Sequence, residues 1–265
     1  MVLQVSLELA EPTDEFLVRA PLQLVAFQLR FSASSKQLEI ATGLALQQQM
    51  PGGAAAWRLD TLSPALKMPL LGGAPGLAVP ELQPAGWRLV EDHGAISIAV
   101  LPDSVGVEST TYSGWPTFSY VLSQVVRGIS DLLTPQAETR LGLRYINRIT
   151  HPDVHKPEDW KHWIHRDLIA VIEHPIGHGV AAAQQQLDVH GDSGIRASVN
   201  HGFFKDINSG RQTYLLDIDT YREGVRAFDP INITLGLANL HRFVLQLFQN
   251  SITSDLYKYL KGGEA

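Results

Sequence analysis

Three arginines at every fourth position, Arg140, Arg144 and Arg148, stand in the segment Arg-Leu-Gly-Leu-Arg-Tyr-Ile-Asn-Arg-Ile at 140–149. Alternate side chains of a strand share a face, so this segment predicts a guanidinium face backed by Leu141, Leu143, Tyr145 and Ile149. Asp217 and Asp219 stand two apart in Tyr-Leu-Leu-Asp-Ile-Asp, with Leu216 and Ile218 on the opposite face. If the two strands are neighbours, Arg144 and Arg148 pair with Asp217 and Asp219 through forked, charge-assisted bonds. The expectation is a structural ion network of Arg140, Arg144, Arg148, Asp217 and Asp219, because isolated buried charges are too costly to leave unpaired. The alternative use of the same arginines is an anion or nucleotide site.

Eight of the ten histidines lie between His151 and His201, in pairs such as His151-x-x-x-His155, His162-x-x-His165 and His174-x-x-x-His178. On a helix such spacings bring two imidazoles to one metal, with Asp153 or Glu173 completing a shell. Pro152 and Pro175 interrupt two of the pairs, and His162 and His165 stand beside Lys161 and Arg166. These residues therefore read as solvated or pH-sensitive surface histidines, and neither a metal nor a cofactor is expected. The chain has no cysteine and no G-x-S-x-G, H-E-x-x-H or G-x-x-x-x-G-K-[ST] motif, which places an enzyme second to a binding protein.

The elements that position these residues follow from the chain's patterning. Its 265 residues are 45% hydrophobic, enough for a substantial core. A net charge of −6 with no long basic run argues against a nucleic-acid partner. There is no long uncharged apolar window, and Glu8, Glu11, Asp14 and Glu15 occupy the start, so neither a membrane span nor a secretory signal is expected. The lack of cysteine fits a reducing compartment, with the cytoplasm as the expected location.

Leu22 to Phe31 reads as a buried strand and Gln37 to Leu46 as a weaker one. From Pro51 to Gly86 the density of glycine and proline predicts a long irregular insertion. Its Trp57, Leu66, Met68, Leu70 and Leu71 are candidates for contact with a partner or a second copy of the chain. Gly86 to Val90, Ala95 to Leu101 and Val105 to Thr111 predict further strands. A helix capped at Ser113 or Gly114 follows, with Phe118, Val121, Leu122, Val125, Ile129, Leu132 and Leu133 on one face.

The second half repeats the theme. The Arg140 strand leads to a short helix opened by Pro157, with Trp160, Trp163, Ile164, Leu168 and Val171 on one side. Strands at Ala181 to His190, Ile195 to Phe204 and Gln212 to Thr220 follow. A last helix, capped at Asn232 or Thr234, bends near Asn250-Ser251. The fold class is α+β, mainly antiparallel sheet with long amphipathic helices on one face, built from a duplicated strands-then-helix unit. The halves are 1–137 and 138–265, either as two domains or intertwined in one.

Tyr112-Ser-Gly-Trp115-Pro-Thr-Phe118, the Arg140 strand, Tyr214-Leu-Leu-Asp-Ile-Asp219, Leu240-His241, Phe248 and Ile252-Thr253 occur in this order. Together, over Leu22 to Leu260, they resemble a sporadically distributed bacterial protein family without an assigned activity. The resemblance implies an accessory role of the toxin–antitoxin or phage-defence kind. Sheets backed by long helices also resemble SecB-like chaperones, at the level of fold alone. The expected function is a non-enzymatic protein-binding accessory factor with a protein partner or a homodimeric state. The alternative is an anion- or nucleotide-binding enzyme or sensor built on the Arg144 and Arg148 face.

Overall fold

The computed structural model describes residues 7–32, 39–62 and 86–263. Its strands are β1 (Leu22–Phe31), β2 (Trp57–Leu62), β3 (Gly86–Glu91), β4 (Ile96–Leu101), β5 (Ser104–Ser109), β6 (Ala137–Ile149), β7 (Ala183–His190), β8 (Arg196–Lys205) and β9 (Gln212–Ala227). Its helices are α1 (Ile40–Gln49), α2 (Trp115–Leu133), α3 (Ala170–Glu173), α4 (Pro230–Ser251) and α5 (Ser254–Leu260). Hydrogen bonds order the strands β2-β3-β4-β5-β1-β6-β9-β8-β7. The β2–β3, β3–β4, β4–β5, β7–β8 and β8–β9 pairs are antiparallel, and the fold is α+β as expected. One path occurs twice: a strand (β1 or β6), an excursion, a meander returning beside that strand (at β5 or β9), and a long helix (α2 or α4). No helix among the described residues is long and apolar enough to cross a membrane.

The chain forms two compact units with interleaved segments. One holds Ala26–Leu141 and Gly224–Gly236; the other holds the chain up to Val25, Gly142–Glu223 and the chain from Leu237 onward.

The unit centred on β2 to β5 is sealed by apolar alternation. Leu89, Ile98 and Val107 align across three strands, as do Trp87, Val100 and Val105, and all six are buried. Each such side chain contributes about 1.5–3 kcal/mol on burial. α2 presents Phe118, Val121, Leu122, Val125, Ile129 and Leu133 at spacings of three and four, all buried. Gly114 caps it at φ +117°, a conformation that favours glycine.

Two expectations are corrected in this unit. The strand expected over Gln37 to Leu46 is the helix α1 from Ile40 onward; Gln37 and Leu38 lie outside the described residues. Its Ala, Leu and Gln residues suit a helix. Packing fixes it, since Gly43 lies against Leu59 and the Trp87 ring, and Leu46 lies against Gly128. The irregular stretch expected from Pro51 contains a 3₁₀ turn (Gly53–Ala55) and the strand β2, which pairs with β3 from Trp57↔Glu91 to Leu62↔Gly86. Residues 63–85 lie outside the described residues.

In the other unit, Leu143, Tyr145 and Ile149 of β6 share a core with Tyr214, Leu216 and Ile218 of β9 and Leu240 and Val244 of α4. Thr220 ties these layers together, its hydroxyl placed 3.1 Å from the Leu143 carbonyl and 3.3 Å from that of Leu240. The amphipathic helix expected after Pro157 is instead a run of short turns: 3₁₀ at Pro157–His162, Arg166–Leu168 and Pro175–Gly179, with α3 between the last two. Asp159 draws the chain tight by accepting from the His155 and Lys156 amides, and Pro175 stops further winding. Of the five apolar residues expected on one side, Trp160 and Ile164 are fully buried, joined by Ile169 and Ile172.

The cap of α4 is Asp229, not Asn232 or Thr234: its Oδ1 accepts from the Ile231 amide at 2.9 Å and its Oδ2 from the Asn232 side chain at 2.7 Å. Thr234 instead donates to the Pro230 carbonyl. The expected bend falls where α4 ends at Ser251, and Thr253 caps α5 by accepting from the Leu256 amide. Between them Ile252 bridges to Ile164. The segment before β1 runs along α4 and α5. Thr13 bonds Gln249 and Tyr257, Glu11 pairs with Arg242, and Glu15 with Lys261.

Candidate functional site

β6 alternates as the sequence predicts, with Leu141, Leu143, Tyr145 and Ile149 buried and Arg144 exposed on the other face. Arg144 forks onto Asp217, Nε to Oδ1 at 2.8 Å and Nη2 to Oδ2 at 2.6 Å. The Asp217 side chain is only 8% exposed while that of Arg144 is 47% exposed. The pair is thus a buried carboxylate covered by a half-solvated cation. Arg148 pairs with Asp206, not Asp219, and its guanidinium lies 5.5 Å from the Phe204 ring centre. Arg140 donates to the Gln28 side chain at 2.9 Å. Asp219 stands opposite Ser198 of β8. Of the two expected pairings, Arg144 with Asp217 forms, and Arg148 takes Asp206 in place of Asp219.

Asp206 is the member that strand periodicity could not supply, because it lies in the loop between β8 and β9. Its Oδ1 accepts from the amides of Asn208 (3.1 Å) and Ser209 (2.8 Å) and from the Ser209 hydroxyl (2.9 Å). Those bonds from Ser209, with the Arg148 guanidinium beside them, hold the Asp206 carboxyl below its usual range. Backbone bonds from Asp206 to the Arg211 carbonyl and from Gly210 to the Asp206 carbonyl close the loop, and Gly210 takes φ +68°. The Asp-x-x-Ser-Gly string is the sequence signal for this turn.

The loop delivers Gly210, Arg211 and Gln212 to a cavity of about 520 Å³. Thr150 and His151, directly after β6, line it with Tyr259 of α5. The His151 ring stacks on Trp163 with centres 3.5 Å apart and meets Tyr259 at 4.3 Å. His151 is 6% exposed and Gln212 9%. The His151 Nδ1 accepts from the Asp153 amide at 3.2 Å, which puts the ring proton on Nε2. Burial pushes this imidazole below its ordinary range, with Asp153 opposing the shift. The His151 Nε2 and the Gln212 Oε1 are both buried without a hydrogen-bond partner among the described residues. The sequence singles out His151 only for its spacing to His155; in the structure it lines a cavity together with Gln212 from a remote strand. Among the described residues no group of three metal-ligating side chains occurs.

A different feature marks the end of the strand order. β7 pairs with β8 along its whole length, from Ala183↔Phe203 to His190↔Arg196, and is the terminal strand among the described residues. Its sequence, Ala-Gln-Gln-Gln-Leu-Asp-Val-His, is mostly exposed. At its start a cavity of about 370 Å³ is lined by Ala182, Ala183, Gly202, Phe203, Phe204 and Leu215. Of the residues expected to meet a partner, Trp57 is instead buried at 3% exposure, its indole N–H bonded to the Pro51 carbonyl at 2.8 Å. It belongs to the core because β2 pairs with β3. Leu66, Met68, Leu70 and Leu71 lie outside the described residues.

No protein-family model and no curated protein matches the chain.

Proposed function

We propose that the protein is a non-enzymatic protein-binding accessory factor that takes an extended segment of a partner protein along the outer edge of β7. The observation that carries this reading is the character of that edge. Exposed edge strands are usually blunted by lysine, proline or a bulge, because their unpaired backbone groups template further strands. β7 carries no proline, lysine or arginine, and Asp188 is its one acidic residue. By contrast β2, the other terminal strand, presents the ion pair Arg58–Asp60. An added strand gains main-chain hydrogen bonds, and the apolar cavity beside Phe204 and Leu215 takes one of its side chains.

Such an edge suits a chaperone-like or antitoxin-like holder of an extended segment, and a phage-defence setting is compatible with it. The cysteine-free chain fits the cytoplasm. The competing occupant of the edge is a second copy of the chain, giving a homodimer.

The test is fluorescence polarisation with labelled ten-residue peptides of alternating apolar and polar residues, alongside Gln185→Pro and Gln186→Pro variants. Alternate amides of a strand point outward, so one proline spares the ladder to β8 and removes an outward donor. The expected outcome is saturable binding that this variant weakens about tenfold or more. Absence of binding, or binding indifferent to both prolines, refutes the reading. A dimer in sedimentation that the same proline dissolves assigns the edge to self-association instead.

A further inference from the structure

We propose that the cavity formed by His151, Gln212, Arg211 and Tyr259 binds a nucleoside monophosphate, gripping the donor–acceptor edge of its base with His151 and Gln212 and its phosphate with Arg211. The site is independent of the β7 edge. Its foundation is a pair of atoms that folding has left unsatisfied. His151 Nε2 bears a proton, because Nδ1 is committed to the Asp153 amide, so it offers a donor. Gln212 Oε1 offers an acceptor. Both residues are more than nine-tenths buried, both atoms lack a partner among the described residues, and both residues line one cavity. A buried polar group without a partner is costly, and a ligand that satisfies both atoms recovers that free energy.

The complementary ligand presents an acceptor beside a donor. Nucleobases carry this arrangement on their edges as a carbonyl or ring nitrogen next to an N–H. The volume falls in the range of sites for small organic ligands. Arg211, exposed at the rim, provides a cation suited to phosphate.

The walls are held before any ligand arrives. Trp163 and Tyr259 fix the His151 ring. Arg19 lies 4.5 Å from the Tyr259 ring centre and donates to the Tyr259 carbonyl at 2.6 Å. The Arg148–Asp206 pair and the Ser209 bonds hold the loop that presents Arg211 and Gln212. Preorganisation of this kind lowers the ordering cost of binding.

The experiment is isothermal titration of the full chain with the monophosphates of uridine, guanosine, adenosine and cytidine, with uridine and inorganic phosphate as separate arms, and Trp163 emission as a second readout. At least one nucleotide should bind, with inorganic phosphate at least about tenfold weaker. His151→Phe keeps the stacking and removes the donor; Gln212→Met keeps the bulk and removes the acceptor. Each should abolish binding while leaving Tm unchanged or raised, because each removes an unsatisfied buried atom. Arg211→Gln should weaken the nucleotide about tenfold and leave uridine unaffected. The proposal fails if no nucleotide binds, if phosphate alone binds as well, or if Gln212→Met and Arg211→Gln bind like the parent. A His151→Phe chain that unfolds leaves those two variants to decide.

Discussion

The two compact units solve the same packing problem with different materials. Among the described residues of the β2 to β5 unit the buried polar side chains are Gln47, Ser109 and Glu138, set beside apolar complementarity across the meander. The other unit buries Asn147, His151, His201, Gln212, Asp217, Thr220 and His241 beside its apolar residues. Some of these are paired: the Tyr145 hydroxyl lies 3.0 Å from His241 Nδ1, and that of Tyr214 lies 2.8 Å from His201 Nδ1, while His201 Nε2 has no partner among the described residues. Others, His151 Nε2 and Gln212 Oε1 among them, are not. A core built only for stability has no use for such atoms, and exceptions to local rules concentrate at functional sites. One such atom, Trp87 Nε1, lies in the β2 to β5 unit as well, so among the described residues the units differ in the number of polar side chains they bury.

The comparison breaks first where the units are most alike. Gly86 of β3 and Gly202 of β8 each meet a backbone carbonyl, that of Val100 and that of Ala183, at 2.0 Å from an added Cβ. Alanine at either position should cost about 3 kcal/mol or more in urea unfolding, through backbone displacement. Only Gly202→Ala should also impair peptide capture, since it moves β7.

Arg144→Ala should destabilise by about 2 kcal/mol, because it strips the buried Asp217 carboxylate of its forked partner; half-exposure of the cation keeps the loss below that of a fully buried pair. Arg58→Ala, removing a pair exposed on both sides, should leave the urea unfolding midpoint close to the parent's. Equal losses in chemical denaturation would erase the distinction between the units' charge pairs. Smaller again is Asp229→Ala, expected to cost about 1 kcal/mol through loss of the α4 cap.

The last difference is in acid. Burial lowers the His151, His201 and His241 imidazoles below the ordinary value of 6.5. The unfolded chain therefore protonates first, so stability is intact above about pH 6.5 and is lost as pH falls below it. His201→Leu should flatten the slope of unfolding free energy between pH 6.5 and 5, and an unchanged slope would remove His201 from the account.

Much of the frame was legible because its periodicity is strong. β6 and β9 alternate over enough residues to fix their faces, and the α2 face repeats at three and four. α1 was not legible: its residues serve strand or helix, and the choice is made by Gly43 against Trp87 and Leu46 against Gly128, contacts between segments far apart in the chain. The arginines lie on the face that the alternation of β6 predicts, but their partners depend on strand neighbours and on a loop turn. Arg148 therefore meets Asp206 while Asp219 stands opposite Ser198. The His151 cavity gathers residues near 150, 211 and 259, and no local pattern joins positions so far apart.

The segment before β1 also sets a timetable. Its bonds from Ala10, Thr13 and Arg19 reach residues 236 to 244 positions further along the chain. During synthesis these early residues emerge long before Asn250, Tyr257 and Tyr259 exist to receive them. The segment before β1 is thus among the last parts of this unit to settle. Throughout that interval the strands of this unit are made but unlatched, and the wall that Arg19 braces closes only once Tyr259 has been made.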